Sequence, residues 1–239
     1  MKRVRLRQPK VRIVPQWESQ LRLIQKMRAL GGTPVDSMGT HAAADPAVPK
    51  KTSDFYVLVA SLLSSQSKDT VVFPALERLK QHGLDIDTII DTKVQVLAQL
   101  IKPVGFYNRK AANLKMICKI LRSKHNDTIP NTVEGLMKLP GIGPKMAYLI
   151  MNTVTNEIHG ICVDTHVHRI SNRLGWVKTR TPEETRKELE SWLPRQYWHD
   201  TNKLIVGFGQ SICKARGPRC EGCSLRRSCK AYQNQRVHP

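Results

Sequence analysis

The chain predicts an all-α fold. Apolar residues recur at helical spacing in one segment after another, alternating strand patterns are scarce, and aromatic residues make up only 5% of the sequence. The first helix is predicted over 17–30, where Trp17, Leu21, Ile24, Met27 and Leu30 fall on one stripe. From Gly31 to Asp54 the chain turns rich in glycine, alanine and proline, which favours turns, so this stretch reads as a linker. Asp54 then suits an N-cap for a strongly apolar helix over 55–63, which leaves through Ser64-Ser65-Gln66-Ser67-Lys68-Asp69. Further helices are predicted over 71–80, 92–100 and 110–121, the last with Leu114, Ile117, Cys118 and Leu121 on one side. Helical patterns resume over 182–192 and 201–208. There is no internal repeat or low-complexity tract.

At 239 residues the chain buries about 70–75% of the surface its unfolded form exposes, enough for one or two domains without a covalent staple. It carries 39 Lys and Arg against 19 Asp and Glu, a formal net charge of +20. Such a charge attracts polyanions at long range, and nucleic acid is the leading partner, although ribosomal and membrane-surface proteins are also basic. No uninterrupted apolar run approaches the length of a membrane span. Lys2, Arg3, Arg5, Arg7, Lys10 and Arg12 precede the first acidic residue, Glu18, which predicts a flexible basic arm over 1–14.

Cys213, Cys220, Cys223 and Cys229 are separated by six, two and five residues. A Cys-x-x-Cys pair turns two thiolates toward one centre, and the flanking cysteines complete a four-sulfur shell. Zinc and an iron-sulfur cluster both satisfy this spacing. Structural disulfides are the blander alternative, disfavoured because no secretory leader precedes them. Lys214, Arg216, Arg219, Arg226, Arg227 and Lys230 surround these cysteines, and a metal would fix them on a rigid loop suited to phosphate contact. Cys118 and Cys162 sit in apolar surroundings and read as core residues.

Residues 132–154 read as a helix-hairpin-helix: a helical stretch ending at Leu139, then Pro140-Gly141-Ile142-Gly143-Pro144-Lys145, then a second helix through Met146, Leu149, Ile150 and Val154. Gly141 and Gly143 allow tight turns and close approach to a phosphate, Pro144 suits a first helical turn, and the free amides there can hold the anion. A plain interhelical turn is the competing explanation. Lys145 stands where the helix dipole disfavours an ammonium, which suits a nucleophilic amine, although many lysines at helix starts are solvated bystanders. After the apolar Ile161-Cys162-Val163, Asp164 is placed to cap a helix beginning Thr165-His166-Val167-His168. His166 and His168 are two apart and make a poor metal pair.

Leu139-Pro140-Gly141-Ile142-Gly143-Pro144-Lys145-Met146-Ala147, then Val163-Asp164-Thr165-His166, then the four cysteines, resemble in this order the endonuclease III family of DNA glycosylases, within the helix-hairpin-helix superfamily. The resemblance runs from about residue 17 to residue 230 and is nearest to eukaryotic members over 163–174. Leu62-Leu63-Ser64-Ser65-Gln66-Ser67-Lys68-Asp69 resembles the family's loop that enters duplex DNA. The resemblance implies a two-lobed helix-hairpin-helix glycosylase fold. A six-helix lobe spans 52–157, and a second lobe joins 15–51 to 158–239 around a 4Fe-4S cluster held by Cys213, Cys220, Cys223 and Cys229. It implies a bifunctional glycosylase and abasic-site lyase acting on oxidised pyrimidines in duplex DNA, with Lys145 as nucleophile and Asp164 as the assisting carboxylate. Gln66 fills the vacated stack, while Gly141, Gly143, Lys214, Arg216 and Arg219 meet the phosphate backbone. A monomer without membrane attachment, in nucleus and mitochondrion, is also implied. The adenine-excising relatives resemble an enzyme lacking the hairpin lysine, so Lys145 argues against them. A silent DNA-binding scaffold and a zinc-stapled module are the remaining alternatives.

Overall fold

The computed structural model describes residues 14–29 and 31–237, and the basic segment from Lys2 to Arg12 lies outside them. Among the described residues all regular structure is helical, in the order α1 (Trp17–Arg28), α2 (Pro34–Met38), a 3-10 turn (Thr40–Ala43), α3 (Lys50–Ser64), α4 (Asp69–Gly83), α5 (Ile86–Asp91), α6 (Val94–Leu100) and α7 (Tyr107–Lys124). There follow α8 (Val133–Met137), α9 (Pro144–Thr155), α10 (Thr165–Leu174), α11 (Pro182–Trp192), a 3-10 turn (Arg195–Tyr197), α12 (Trp198–Ser211) and α13 (Lys230–Val237). No helix of the described residues is long and apolar enough to cross a membrane.

The helices divide between two hydrophobic cores. The first is built mainly from the continuous run α3 to α9, with Leu58, Leu62, Leu76, Leu114, Leu136 and Ile150 among its buried side chains. The second joins chain-distant segments: Leu21 and Ile24 of α1 meet Ile161, Ile170, Trp176 and Phe208. Val14, at the end of the predicted arm, is buried in this second core. The indole of Trp176 donates to Gln20 Oε1 at 2.5 Å across 156 residues, satisfying two polar groups that burial would otherwise leave unpaired. In α3 the residues Val57 to Leu63 are buried on every side, so this helix runs through the first core rather than along its surface.

Two expectations are corrected. Asp54 does not cap α3; the helix starts four residues earlier at Lys50 after Pro49, and the Asp54 carboxylate pairs with Lys50 Nζ at 2.7 Å inside it. The stretch 31–54 is not a plain linker either. Thr33 and Asp36 tie the start of α2: Asp36 Oδ2 accepts from Thr33 N at 2.9 Å and Thr33 Oγ1 at 2.8 Å, and Asp36 N donates back to Thr33 O at 2.9 Å. Asp36 Oδ1 takes Arg28 Nη2 at 2.6 Å. Val35 is buried in the second core and Ala43 in the first, so the segment is a strap that packs on both. Arg28 crosses α12 at Gly207, where a Cβ would collide with the guanidinium carbon, so only glycine leaves room.

Candidate active site

The hairpin is built from local rules. Thr132 caps α8 by accepting from Gly135 N at 3.0 Å, and Leu139 and Ile142 bury the turn against the first core. Gly141 has φ +84°, and a Cβ there would lie 2.5 Å from Asn113 Nδ2. The positive φ is what calls for glycine, and a Cβ would in addition push the Asn113 amide aside. Gly143 differs from the expectation that the two glycines act alike. It is the extended N-cap of α9, φ −99°, and a Cβ there would meet nothing within 4 Å, so the fold itself does not require glycine at this position. Pro144 occupies the first helical position, and Lys145 follows as an exposed residue beside backbone amides that have no intrahelical partner.

Beneath Lys145 the chain returns from the second core. Cys162 Sγ reaches Lys145 O at 3.5 Å, while Asn202 Nδ2 of α12 holds Cys162 O at 2.7 Å. Burial pushes the Cys162 thiol up to about 12, and Cys118 likewise, so both remain protonated core groups. Two residues on, Asp164 caps α10: its Oδ1 accepts from His166 N at 2.9 Å and Val167 N at 2.8 Å. One carboxylate oxygen thus takes both helix amides.

The charges of Lys145 and Asp164 both act on Asp69 and on His166. Burial pushes the Asp69 carboxyl above its ordinary value and Asp164 adds to that, while a bond from Gln210 and the charge of Lys145 pull it down. Burial lowers His166, Asp164 counters this, and Arg169 and Lys145 reinforce it. Gly209 of α12 makes space for the ring, since a Cβ there would collide with His166 Nδ1. Gln210 bridges the two cores at this point, with Oε1 accepting from Val35 N at 3.1 Å and Nε2 donating to Asp69 Oδ2 at 3.2 Å. Asp69 was visible in the sequence only as part of the Gln66 loop, and Gln210 carried no signal; 141 residues separate them.

Gln66 is exposed in the turn between α3 and α4, three residues before Asp69, with φ +50°. Arg216 and Arg219 are exposed and Lys214 half-buried, all in the loop after α12. That loop hangs from α10: Arg169 Nη2 donates to Cys213 O at 3.0 Å, and Arg173 donates to Lys214 O at 2.8 Å, Ala215 O at 3.1 Å and Cys213 Sγ at 3.4 Å. Cys213, Cys220, Cys223 and Cys229 all line one cavity, walled by Leu174, Phe208 and Leu225. Their thiols are free, and among the described residues no three His, Cys, Asp or Glu side chains close on a single metal-ion position.

Residues 59–195 match the HhH-GPD superfamily of base excision DNA repair proteins. Endonuclease III-like protein 1 of Gallus gallus is 49% identical over 209 residues, covering 87% of this chain and 74% of that protein. The chloroplastic endonuclease III homolog 1 of Arabidopsis thaliana is 48% identical over 231 residues, covering 93% of this chain and 61% of that protein. A solved endonuclease III, trapped as a covalent intermediate with DNA, superposes with a TM-score of 0.79 at 29% identity, over 92% of this chain and 97% of that one. The all-helical architecture is the same, and the identity to eukaryotic relatives runs through both cores: the chain belongs to the endonuclease III family of HhH-GPD base excision repair proteins and is a DNA glycosylase.

Proposed function

We propose that this glycosylase is bifunctional, removing oxidised pyrimidines from duplex DNA and then cutting the strand through an abasic-site lyase step. The reading is supported by Lys145 at the start of α9 and Asp164 at the start of α10, whose charges both act on the half-buried Asp69. The two residues come from opposite cores, which we take as the lobes 52–157 and 15–51 with 158–239. How those lobes dock sets the distance between amine and carboxylate. A relative held covalently on DNA supports an enzyme nucleophile.

The damaged nucleotide leaves the stack at reduced cost because damage weakens its pairing, and Gln66 occupies the gap. Lys145 Nζ bonds to the sugar C1′ as the bond to the base breaks and the base departs with a proton. Asp164 stabilises positive charge on the sugar and assists proton transfer with the oxygen its cap leaves free. Loss of the amine proton and ring opening give a Schiff base between Lys145 and C1′. Removal of a C2′ proton then expels the 3′ phosphate by β-elimination, and water releases Lys145 by hydrolysing the imine. Gly141, Gly143, Lys214, Arg216 and Arg219 hold phosphates and set the register of the duplex without reading its sequence.

Cys213, Cys220, Cys223 and Cys229 would hold a 4Fe-4S cluster. Four thiols around one apolar cavity, with the Arg173 guanidinium donating to Cys213 Sγ, fit a thiolate-ligated anionic group. Bound there, the cluster supplies a rigid staple for the basic loop and a centre for electron exchange. Visible absorption with iron analysis distinguishes it from colourless zinc.

The test is borohydride reduction on a duplex carrying one thymine glycol. A covalent adduct is expected with the native chain and none with Lys145→Ala. An undiminished adduct in Lys145→Ala removes Lys145 from the role, and base release without strand scission removes the lyase step.

A further inference from the structure

One buried charge takes no part in the chemistry above. Lys110 of α7 is only 4% exposed, so it cannot serve as a phosphate contact. Its Nζ lies 2.8 Å from Leu63 O, 2.6 Å from Ser65 O and 3.2 Å from Ser67 Oγ. The first two are carbonyls at the C-terminal end of α3, where the helix leaves acceptors unpaired and its dipole favours a cation. Burial pushes the amine down to about 8, so the site holds its charge against a desolvation cost.

Between those acceptors stands Gln66, in the left-handed region at φ +50°, a conformation that disfavours a side-chain-bearing residue unless its surroundings enforce it. A second contact closes the clamp. Ser67 Oγ also accepts from Gly105 N at 3.0 Å and donates to Ser65 O at 3.3 Å. Gly105 packs so closely that a Cβ there would lie 2.9 Å from Gln66 O. The carbonyl before Gln66 and the hydroxyl after it are therefore fixed by α7 and the turn that leads into it, and Gly105 of that turn lies close against the carbonyl of Gln66 itself.

We propose that Lys110 is a positioning residue: its three donors hold the Gln66 loop in the left-handed turn from which Gln66 enters the duplex, so insertion starts from a preformed loop. The inference rests on the reading that Gln66 fills the vacated stack. Without the clasp, Gln66 must be ordered during the same step that opens the helix, and extrusion slows.

The test is a double-mutant cycle under single-turnover conditions, on a duplex with one thymine glycol and 2-aminopurine beside the opposing base to report stack opening. Lys110→Met is expected to slow the fluorescence rise and base release by about tenfold to a hundredfold, as expected for losing charged hydrogen bonds that preorganise a step. In a Gln66→Ala background the same substitution is expected to change neither. Lys115→Met is the control: Lys115 lies on the same helix, donates to Thr92 O at 2.7 Å away from the loop, and is expected to alter melting without altering the fluorescence rise. If Lys110→Met does not fold, Ser67→Ala removes the shared hydroxyl and is read the same way. A native-like rise in the Lys110→Met or Ser67→Ala protein overturns the clasp while Gln66 insertion stands. Effects of Lys110→Met and Gln66→Ala that multiply overturn it too. A Gln66→Ala protein that opens the stack at the native rate overturns both the insertion reading and the inference.

Discussion

Asp164 is asked to do two things, and substituting it separates them. As a cap, Oδ1 alone accepts from His166 N at 2.9 Å and Val167 N at 2.8 Å. Asparagine offers the same oxygen in the same place, so Asp164→Asn keeps both bonds and loses only the charge at the helix N-terminus, about 0.3–1 kcal/mol. Part of that loss is offset, because the Asp164 charge also pushes against Asp69. Asp164→Ala loses both bonds, about 1–2 kcal/mol. In a chain of this size about 1 kcal/mol corresponds to about 2–4 °C of melting temperature. The Asn protein is therefore expected to melt no more than about 4 °C below the native chain, less the offset from Asp69, and the Ala protein about 2–8 °C below it. Turnover should not follow that order. If the carboxylate acts in the reaction, both variants lose about 10²–10⁴ in single-turnover base release from a thymine glycol duplex. An Asn protein within tenfold of native refutes the catalytic assignment and leaves Asp164 as a cap; equal melting losses in the two variants refute the capping geometry.

Three further outcomes test the frame around the site. Asp36→Ala leaves the Arg28 guanidinium, 5% exposed, without its partner, and should cost about 3–5 kcal/mol by chemical denaturation. Burial pushes the Asp36 carboxyl up, but bonds from Arg28 and Thr33 outweigh it and hold it down at about 2. Its contribution is thus complete above the ordinary range near 4 and lost as pH falls toward 2. Discounted for a side chain 24% exposed, that is about 1–2 kcal/mol, read as an acid melting slope that Asp36→Ala flattens. Gly207→Ala drives a methyl into Arg28 and should cost about 3 kcal/mol, less than additively with Asp36→Ala because both break one contact. Gly141→Ala should destabilise by about 1–3 kcal/mol, whereas Gly143→Ala, in open space, should leave melting unchanged and weaken only duplex binding in an anisotropy titration.

What the sequence revealed depended on how local the determining contact is. The helical run of α11, the Asp164 cap of α10 and the glycine at Gly141 depend on contacts within a few residues, and each could be read directly, whereas Gly143 beside it is not required by the fold. α2 was invisible because five residues hold no period, and Pro34, read as a turn former, sits at the first helical position where its missing N–H costs nothing. α5, at six residues, is nearly as short, although Asp85 caps it by accepting from Thr88 N at 2.8 Å. Asp54 misled because an acidic residue before an apolar run fits a cap and an internal pair with Lys50 equally well. The Asp69–Gln210 tie and the Lys110 clasp join segments 141 and about 45 residues apart, and only the folded chain brings them together.

On the mechanism proposed above, the arrangement gives the cysteine loop a place in a chemistry of amine and carboxylate. α10 is a single rigid element of 10 residues, about 15 Å long, with Asp164 at one end and Arg173 near the other. Arg169 and Arg173 donate to the carbonyls of Cys213, Lys214 and Ala215, so the loop that carries the first cysteine is fastened to the helix that carries the carboxylate. Lys145 belongs to the other core, reached through Cys162, whose thiol meets Lys145 O while its carbonyl accepts from Asn202, and through the Gln210 bridge to Asp69. A staple that orders the cysteine loop therefore fixes the seat of α10, and with it the position of Asp164 relative to Lys145. If Asp164 and Lys145 act as proposed, loosening that loop is expected to lower single-turnover base release without any cysteine touching the substrate.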